Sequence, residues 1–292
     1  MKNVWCYTDH PQKFVIEKAT VGDNTHNIGK ITEKKFNFRA KINWILTYFP
    51  GTARPFLMFA TVNDIRFVQI SPESRHPLKS TIAVKKLNDV QGLDFFLHKN
   101  KVCWIELNEP VIKCAEMSVS GKVKPEIIVN SGLVRPEGLA CDWLNDNIYW
   151  TDSYTKRIEV ASIQSKVRNV IISEDIDMPR AIAVAPEDGY LFWSDWGEQY
   201  PKIERVSMDG DNTSRRIIVD QEIAWPNGLT LDLDSKRLYW IDAKLNYIAR
   251  VDWNGNNREN LYHTRSPDSM KLPVAISVYQ RELYWTDYHL TK

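Results

Sequence analysis

Beyond about residue 56 the hydrophobic and polar positions recur in a fixed order and show no helical period. Each unit starts with a Pro-x-Gly or Pro-x-Ala step, as in Pro136-Glu137-Gly138, Pro179-Arg180-Ala181 and Pro226-Asn227-Gly228. A short run of small and apolar residues follows, for example Gly228-Leu229-Thr230-Leu231-Asp232, which suits a strand closely approached by its neighbours. After an aromatic strand comes a segment alternating with a period of two, at Arg157 to Ser162, Lys202 to Ser207 and Tyr247 to Asp252. Asp209-Gly210 and Asn254-Gly255 then supply hairpin signals. The apolar runs Glu126 to Val129, Val170 to Ile172 and Arg216 to Val219 close their units.

The aromatic strand carries the repeat most clearly. Val102-Cys103-Trp104-Ile105-Glu106, Ile148-Tyr149-Trp150-Thr151-Asp152, Leu191-Phe192-Trp193-Ser194-Asp195, Leu238-Tyr239-Trp240-Ile241-Asp242 and Leu283-Tyr284-Trp285-Thr286-Asp287 are five copies, and Leu57 to Thr61 is a weaker sixth. Their central residues stand 43 to 47 positions apart, a period matching four short strands and their turns. Four-stranded sheets repeated radially make a β-propeller, so the sequence predicts an all-β, six-bladed propeller over residues 56–292. Trp104, Trp150, Trp193, Trp240 and Trp285 are expected to fill the space between blades. Asp152, Asp195, Asp242 and Asp287 are expected to tie down backbone N–H groups; repetition in every unit favours packing over a ring of metal ligands.

Eleven Trp and twelve Tyr reinforce the β reading. Lys and Arg total 38 against 37 Asp and Glu, with no long block of one sign, which removes the electrostatic case for a nucleic-acid or anionic-membrane partner. The four cysteines form no metal pattern, and no cofactor is implied. Cys141, in an apolar run, reads as a free core thiol. Cys103 and Cys114 fall on neighbouring strands; two buried thiols is the simpler reading, and spacing leaves the pair unassigned. No Ser-His-Asp order, P-loop, HExxH or GxSxG pattern occurs, so no enzymatic activity is expected.

The repeated motifs resemble the YWTD propellers of the low-density-lipoprotein-receptor family over about residues 56 to 292. The stretches Arg135 to Leu144, Arg157 to Val160 and Trp225 to Thr230 are most similar to the first propeller of the Wnt co-receptor branch, LDL-receptor-related proteins 5 and 6 and insect Arrow. The resemblance implies an extracellular, plasma-membrane receptor module. Its top face would bind Wnt or antagonists bearing an Asn-x-Ile loop, such as sclerostin-like or Dickkopf-like proteins. Carried over residue by residue, Asn227 matches the amide that pairs with the ligand's Asn. Arg180 and Glu159 match the charged rim, and Trp196 and Trp225 the aromatic walls. Tyr288 stands where the family has Trp and Leu272 where it has His, while Val62 and Pro110 replace charged residues; these changes point to altered ligand choice.

Residues 1–55 do not continue the repeat strongly and are expected to be a poorly ordered leader, although Trp5 to Asp9 echoes the motif and Ile42 to Phe49 has strand character. On that reading the last blade lacks its two outer strands and the first its inner strand. With no apolar leader or membrane-length segment, the sequence reads as a fragment, an isoform or an incomplete gene model. Two rival functions follow: a truncated, non-secreted paralogue without ligand, and a Ca²⁺-dependent propeller hydrolase, whose axial ligands would come from residues such as Asn227 and Glu137. One Asn-x-Ser triplet, Asn212-Thr213-Ser214, is a candidate glycosylation site at a predicted hairpin tip.

Overall fold

The structure, a computed structural model, describes residues 13–20, 28–32, 42–45, 56–69, 80–117, 123–263, 273–279 and 282–289. Trp5 to Asp9 and Leu272 lie outside the described residues, as do the side chains of Asp287 and Tyr288.

Two strands precede the predicted repeat, β1 (Lys13–Thr20) and β2 (Ile28–Thr32). The first complete sheet comprises β3 (Ile42–Ile45), β4 (Phe56–Ala60), β5 (Asp64–Gln69) and β6 (Thr81–Lys85). The second comprises β7 (Val90–Phe96), β8 (Lys101–Glu106), β9 (Val111–Glu116) and β10 (Glu126–Val129). The third runs β11 (Pro136–Asp142), β12 (Asn147–Asp152), β13 (Arg157–Ser162) and β14 (Arg168–Ile172). The fourth runs β15 (Pro179–Ala185), β16 (Tyr190–Asp195), β17 (Lys202–Ser207) and β18 (Arg216–Val219). The fifth runs β19 (Pro226–Asp232), β20 (Arg237–Asp242), β21 (Tyr247–Asp252) and β22 (Glu259–His263). The final sheet has the order β2-β1-β24-β23, with β23 (Pro273–Tyr279) and β24 (Glu282–His289) at its inner side.

Every neighbouring pair within these sheets is antiparallel. The inner strands β3, β7, β11, β15, β19 and β23 each contact the next, and β23 returns to β3, so the sheets surround an axis. The fold is an all-β propeller.

Two sequence expectations change here. The last sheet is not left with an open pair of strands, because β1 lies along all of β24, from Lys13 opposite His289 to Thr20 opposite Glu282, and β2 pairs outside it. The first sheet has its inner strand in β3, with Ile42 opposite Phe59. Residues 13–45 therefore contribute three strands to the ring, where a leader was expected. Backbone pairing needs only alternating extended segments with free N–H and C=O groups, so weakly patterned sequence suffices when a bare sheet edge is waiting.

The repeated aromatic residues do what their alternation implies. Trp104, Trp150, Trp193, Trp240 and Trp285 are all fully buried. Each sits in a hydrophobic cluster shared by its own sheet and the preceding one. Tyr149 and Tyr239, one residue earlier, pack into the clusters on the opposite side of their sheets, as the two-residue period of a strand requires.

Cys103 and Cys114 stand directly opposite on β8 and β9 and form a disulfide, where two thiols were preferred. Cross-strand register, invisible in the spacing of 11 residues, brings their Cα atoms to 4.0 Å. Cys141 is a free buried thiol, and burial followed by the nearby Asp94 and Asp142 pushes its pKa well up.

Candidate binding face at the inner-strand starts

The repeated carboxylates shape one end of the propeller. Asp242 is fully buried and accepts four backbone N–H groups, from Ala224 and Trp225 at 2.7 and 3.0 Å and from Lys244 and Leu245 at 3.0 and 2.9 Å. It thereby holds both the loop leading into β19 and the turn after β20. Asp152 takes N–H groups from Val134, Arg135, Tyr154 and Thr155, and Asp195 from Asp177, Met178 and Gly197. These ties fix the loops between successive sheets.

At this same end the inner strands start with a register irregularity. It falls between Pro136 and Leu139, Pro179 and Ile182, and Pro226 and Gly228. A bulge releases residues from the ladder and re-aims their side chains, and the residues so released include Glu137, Arg180 and Asn227, the middle members of the Pro-x-Gly/Ala steps. The hydroxyl after the repeated Trp pins two of these bulges: Thr151 accepts the Gly138 N–H at 2.8 Å, and Ser194 accepts that of Ala181 at 3.0 Å. Thr151 also donates to the Arg180 carbonyl at 2.6 Å, joining neighbouring sheets. Gly138 has no room for a side chain, since a Cβ there would lie 2.3 Å from that same carbonyl oxygen.

The released residues form a polar arc around the axis. Glu137, 2% exposed, accepts from Gln91 at 2.8 Å and Ser153 at 3.2 Å, and is paired with Arg135 at 3.1 Å and with Arg180. The Arg180 guanidinium lies 3.9 Å from the centroid of Trp196. Trp196 stacks on Trp225 with centroids 5.6 Å apart and planes 16° apart. Lys244 Nζ lies over the Trp225 ring, 5.4 Å from its centroid. The result is a stacked indole pair with a cation on each ring, crossing the rim between the fourth and fifth sheets, an arrangement favoured by the negative faces of the rings. Asn227 donates through Nδ2 to the Pro273 carbonyl at 2.8 Å. Among the described residues that is its one side-chain hydrogen bond, and the second amide hydrogen and the carbonyl oxygen make none.

Arg180, Trp196, Trp225 and Asn227 are thus brought to one face, and the two Trp residues form a rim pair outside the interblade core. Glu159 is not with them. It is 2% exposed on β13, opposite Trp150, where it pairs with Arg168 at 2.5 and 2.7 Å. Arg168 lies over Trp150 at 5.1 Å and donates to the Ser131 and Gly132 carbonyls. Glu204 and Arg215 repeat the arrangement around Trp193 in the next sheet. Glu159 is therefore a buried brace of the loop before β11, and Glu137 is the carboxylate beside Arg180. Sequence reasoning also passed over Lys244; its position just after Asp242, in the turn opposite Trp225, was the available signal.

Further aromatic side chains are exposed at this end of the propeller. Tyr154 and Tyr200, in turns at the same end, are 71% and 76% exposed, and Trp225 itself is 40% exposed. Among the described residues no three His, Cys, Asp or Glu side chains converge as a metal site.

The low-density lipoprotein receptor repeat class B profile matches residues 146–184 and 189–233. The low-density lipoprotein receptor-related protein 5-like protein of Homo sapiens is 34% identical over 185 residues, covering 63% of this chain and 69% of that protein. The chain belongs to the low-density-lipoprotein-receptor YWTD family. Low-density lipoprotein receptor-related protein 5 of Mus musculus is 44% identical over 149 residues, 51% of this chain. The chain spans 9% of that receptor's length. A chain in the crystal structure of a nidogen/laminin complex superposes with a TM-score of 0.69 and 32% identity, covering 80% of this chain and 85% of that one. Membership of the YWTD family supports a protein-binding propeller. No helix among the described residues is long and apolar enough to cross a membrane.

Proposed function

We propose that this YWTD propeller, six-bladed and closed by its own N-terminal strands, captures an extracellular protein loop on the face where the inner strands begin. The supporting observation is the Arg180-Trp196-Trp225-Lys244 stack, with the open amide of Asn227 two residues from Trp225. Rigid aromatic anchors ringed by polar groups are the usual composition of an interface hot spot. The free donor and acceptor of Asn227 match a ligand's own Asn side chain, so the ligand class is an Asn-x-Ile loop of a sclerostin-like or Dickkopf-like antagonist, with a Wnt protein sharing the face. Tyr288 joins this face in the proposal.

The rival readings lose support. An unclosed, ligandless paralogue was argued from missing strands and from the lack of an apolar leader, and β1, β2 and β3 supply the strands. A hydrolase needs axial carboxylates free for a cation, and Glu137 is committed to Arg180, Arg135, Gln91 and Ser153.

The test is calorimetric titration of the folded chain with an Asn-x-Ile loop peptide, beside Trp225→Ala and Asn227→Ala. Saturable binding weakened roughly 30-fold by the first, about 2 kcal/mol, and at least about tenfold by the second is expected. Binding unchanged in both folded variants refutes the assignment of this face.

A further inference from the structure

We infer that Asn212 carries an N-linked oligosaccharide, added before its own sheet closes. Asn212-Thr213-Ser214 is the only Asn-x-Ser/Thr triplet in the chain. It occupies a single 3-10 turn between β17 and β18, with no buried residue. The backbone of the turn is fixed by its neighbours: Asp211 caps it by accepting from the Thr213 N–H at 2.9 Å, and Arg215 N–H donates to the Asn212 carbonyl. The Asn212 side chain is exposed and its amide makes no hydrogen bond among the described residues. A bulky substituent there displaces nothing.

A second, independent feature places the chain where such a transfer occurs. Cys103 and Cys114 are joined by a disulfide although both are fully buried. Buried cystine of this kind forms and persists in oxidising compartments, the lumen in which asparagine-linked sugars are added.

The turn also sets the order of events. The transferase recognises the Asn together with the hydroxyl two residues on. In the folded chain the Ser214 hydroxyl is engaged, accepting the Ser207 N–H at 2.8 Å and lying 2.7 Å from the Asp211 carbonyl oxygen. The folded turn withholds the hydroxyl, so the reaction precedes the β17–β18 pairing. The Asn212 amide nitrogen bonds to the anomeric carbon of a lipid-linked oligosaccharide diphosphate. The bond from that carbon to the phosphate oxygen breaks, the lipid diphosphate leaves with the electron pair, and the amide proton passes to a base of the transferase.

The sugar leaves the proposed binding face clear. β17 runs from that face, at Lys202, to the far end at Ser207, and six strand residues separate the two by about 20 Å.

The experiment directs the full chain into the secretory pathway of insect cells and analyses cell-associated and secreted material together. Removal of N-glycans by peptide-N-glycosidase should lower the mass by one glycan and convert Asn212 to Asp. Asn212→Gln should show no such loss, while Ser214→Thr should retain it. Folded, sugar-free chain mixed with detergent-solubilised transferase and its lipid-linked donor should stay unmodified, while the same chain reduced and unfolded should be modified. Chain with an oxidised Cys103–Cys114 pair and an unmodified Asn212 overturns the site, and efficient modification of the folded chain overturns the order of events.

Discussion

Replacing Asp242 by Asn tests whether one buried carboxylate supports both the fold and the binding face. Its Oδ1 receives the N–H groups of Lys244 and Leu245, and its Oδ2 those of Ala224 and Trp225. An Asn side chain keeps one acceptor oxygen and points its NH₂ at two backbone donors, so two charge-assisted bonds are lost. At about 1.5–3 kcal/mol each the loss is about 3–6 kcal/mol, against a total stability of roughly 5–15 kcal/mol. For a chain of this size roughly 2 °C accompanies each kcal/mol, so the melting midpoint should fall by about 10 °C. Urea and thermal unfolding followed by Trp fluorescence supply the measurement. Because the lost bonds hold Trp225 or Lys244, peptide affinity should fall as well, at temperatures where the variant is folded. A variant within about 1 kcal/mol of the parent would refute the view that this carboxylate organises the loops.

Glu159→Gln, which breaks the buried pair with Arg168, should destabilise the chain by up to about 3–5 kcal/mol yet leave peptide affinity unchanged, as titration of the folded variant would show. Replacing Cys103 and Cys114 together by Ala opens a crosslink spanning 11 residues and should cost about 2–3 kcal/mol in denaturant midpoint, with no effect from reductant on the variant. Burial pushes the Tyr247 hydroxyl up to about 12. The unfolded chain releases this proton near pH 10 and the folded one near 12, so its contribution is complete below pH 10 and lost between pH 10 and 12. Tyr149 and Tyr284 are raised too, also by burial, so stability should fall steeply above pH 10, and Tyr247→Phe should reduce that slope by close to one proton.

Most of the fold was legible because each sheet writes the same local code. Pro-x-Gly, the aromatic strand and the alternating strand are short-range signals, and each agrees with its copies. The N-terminal strands were not legible, because β1 and β2 answer a sheet edge at the other end of the chain and need little pattern of their own. Arg180, Trp196, Trp225 and Asn227 were named from the family resemblance, and the structure adds that they lie at one end of the propeller, with a bulge that aims Arg180 and Asn227 out of the ladder. Glu159 was misplaced because a resemblance was weighed above repetition: Glu204 holds the equivalent place, which marks a brace shared by sheets. Glu137 and Lys244 depended on contacts across sheet boundaries, which a linear reading does not display. The disulfide needed a register that spacing leaves open.

The pairing of Ile16 with Thr286 has a consequence for how the chain is made. Within this ring the strands made earliest, β1 and β2, are among the last to be enclosed, since β24 is synthesised after the other five sheets. Until then the growing ring is a horseshoe with a bare edge at each tip, and drawing those tips together carries the loop-closure entropy of nearly the whole chain. Slow sealing and exposure to mispairing follow from contacts so distant in sequence. Anything that clips or occupies either tip acts as a wedge in the clasp, springing the circle at one seam while the middle sheets stay packed.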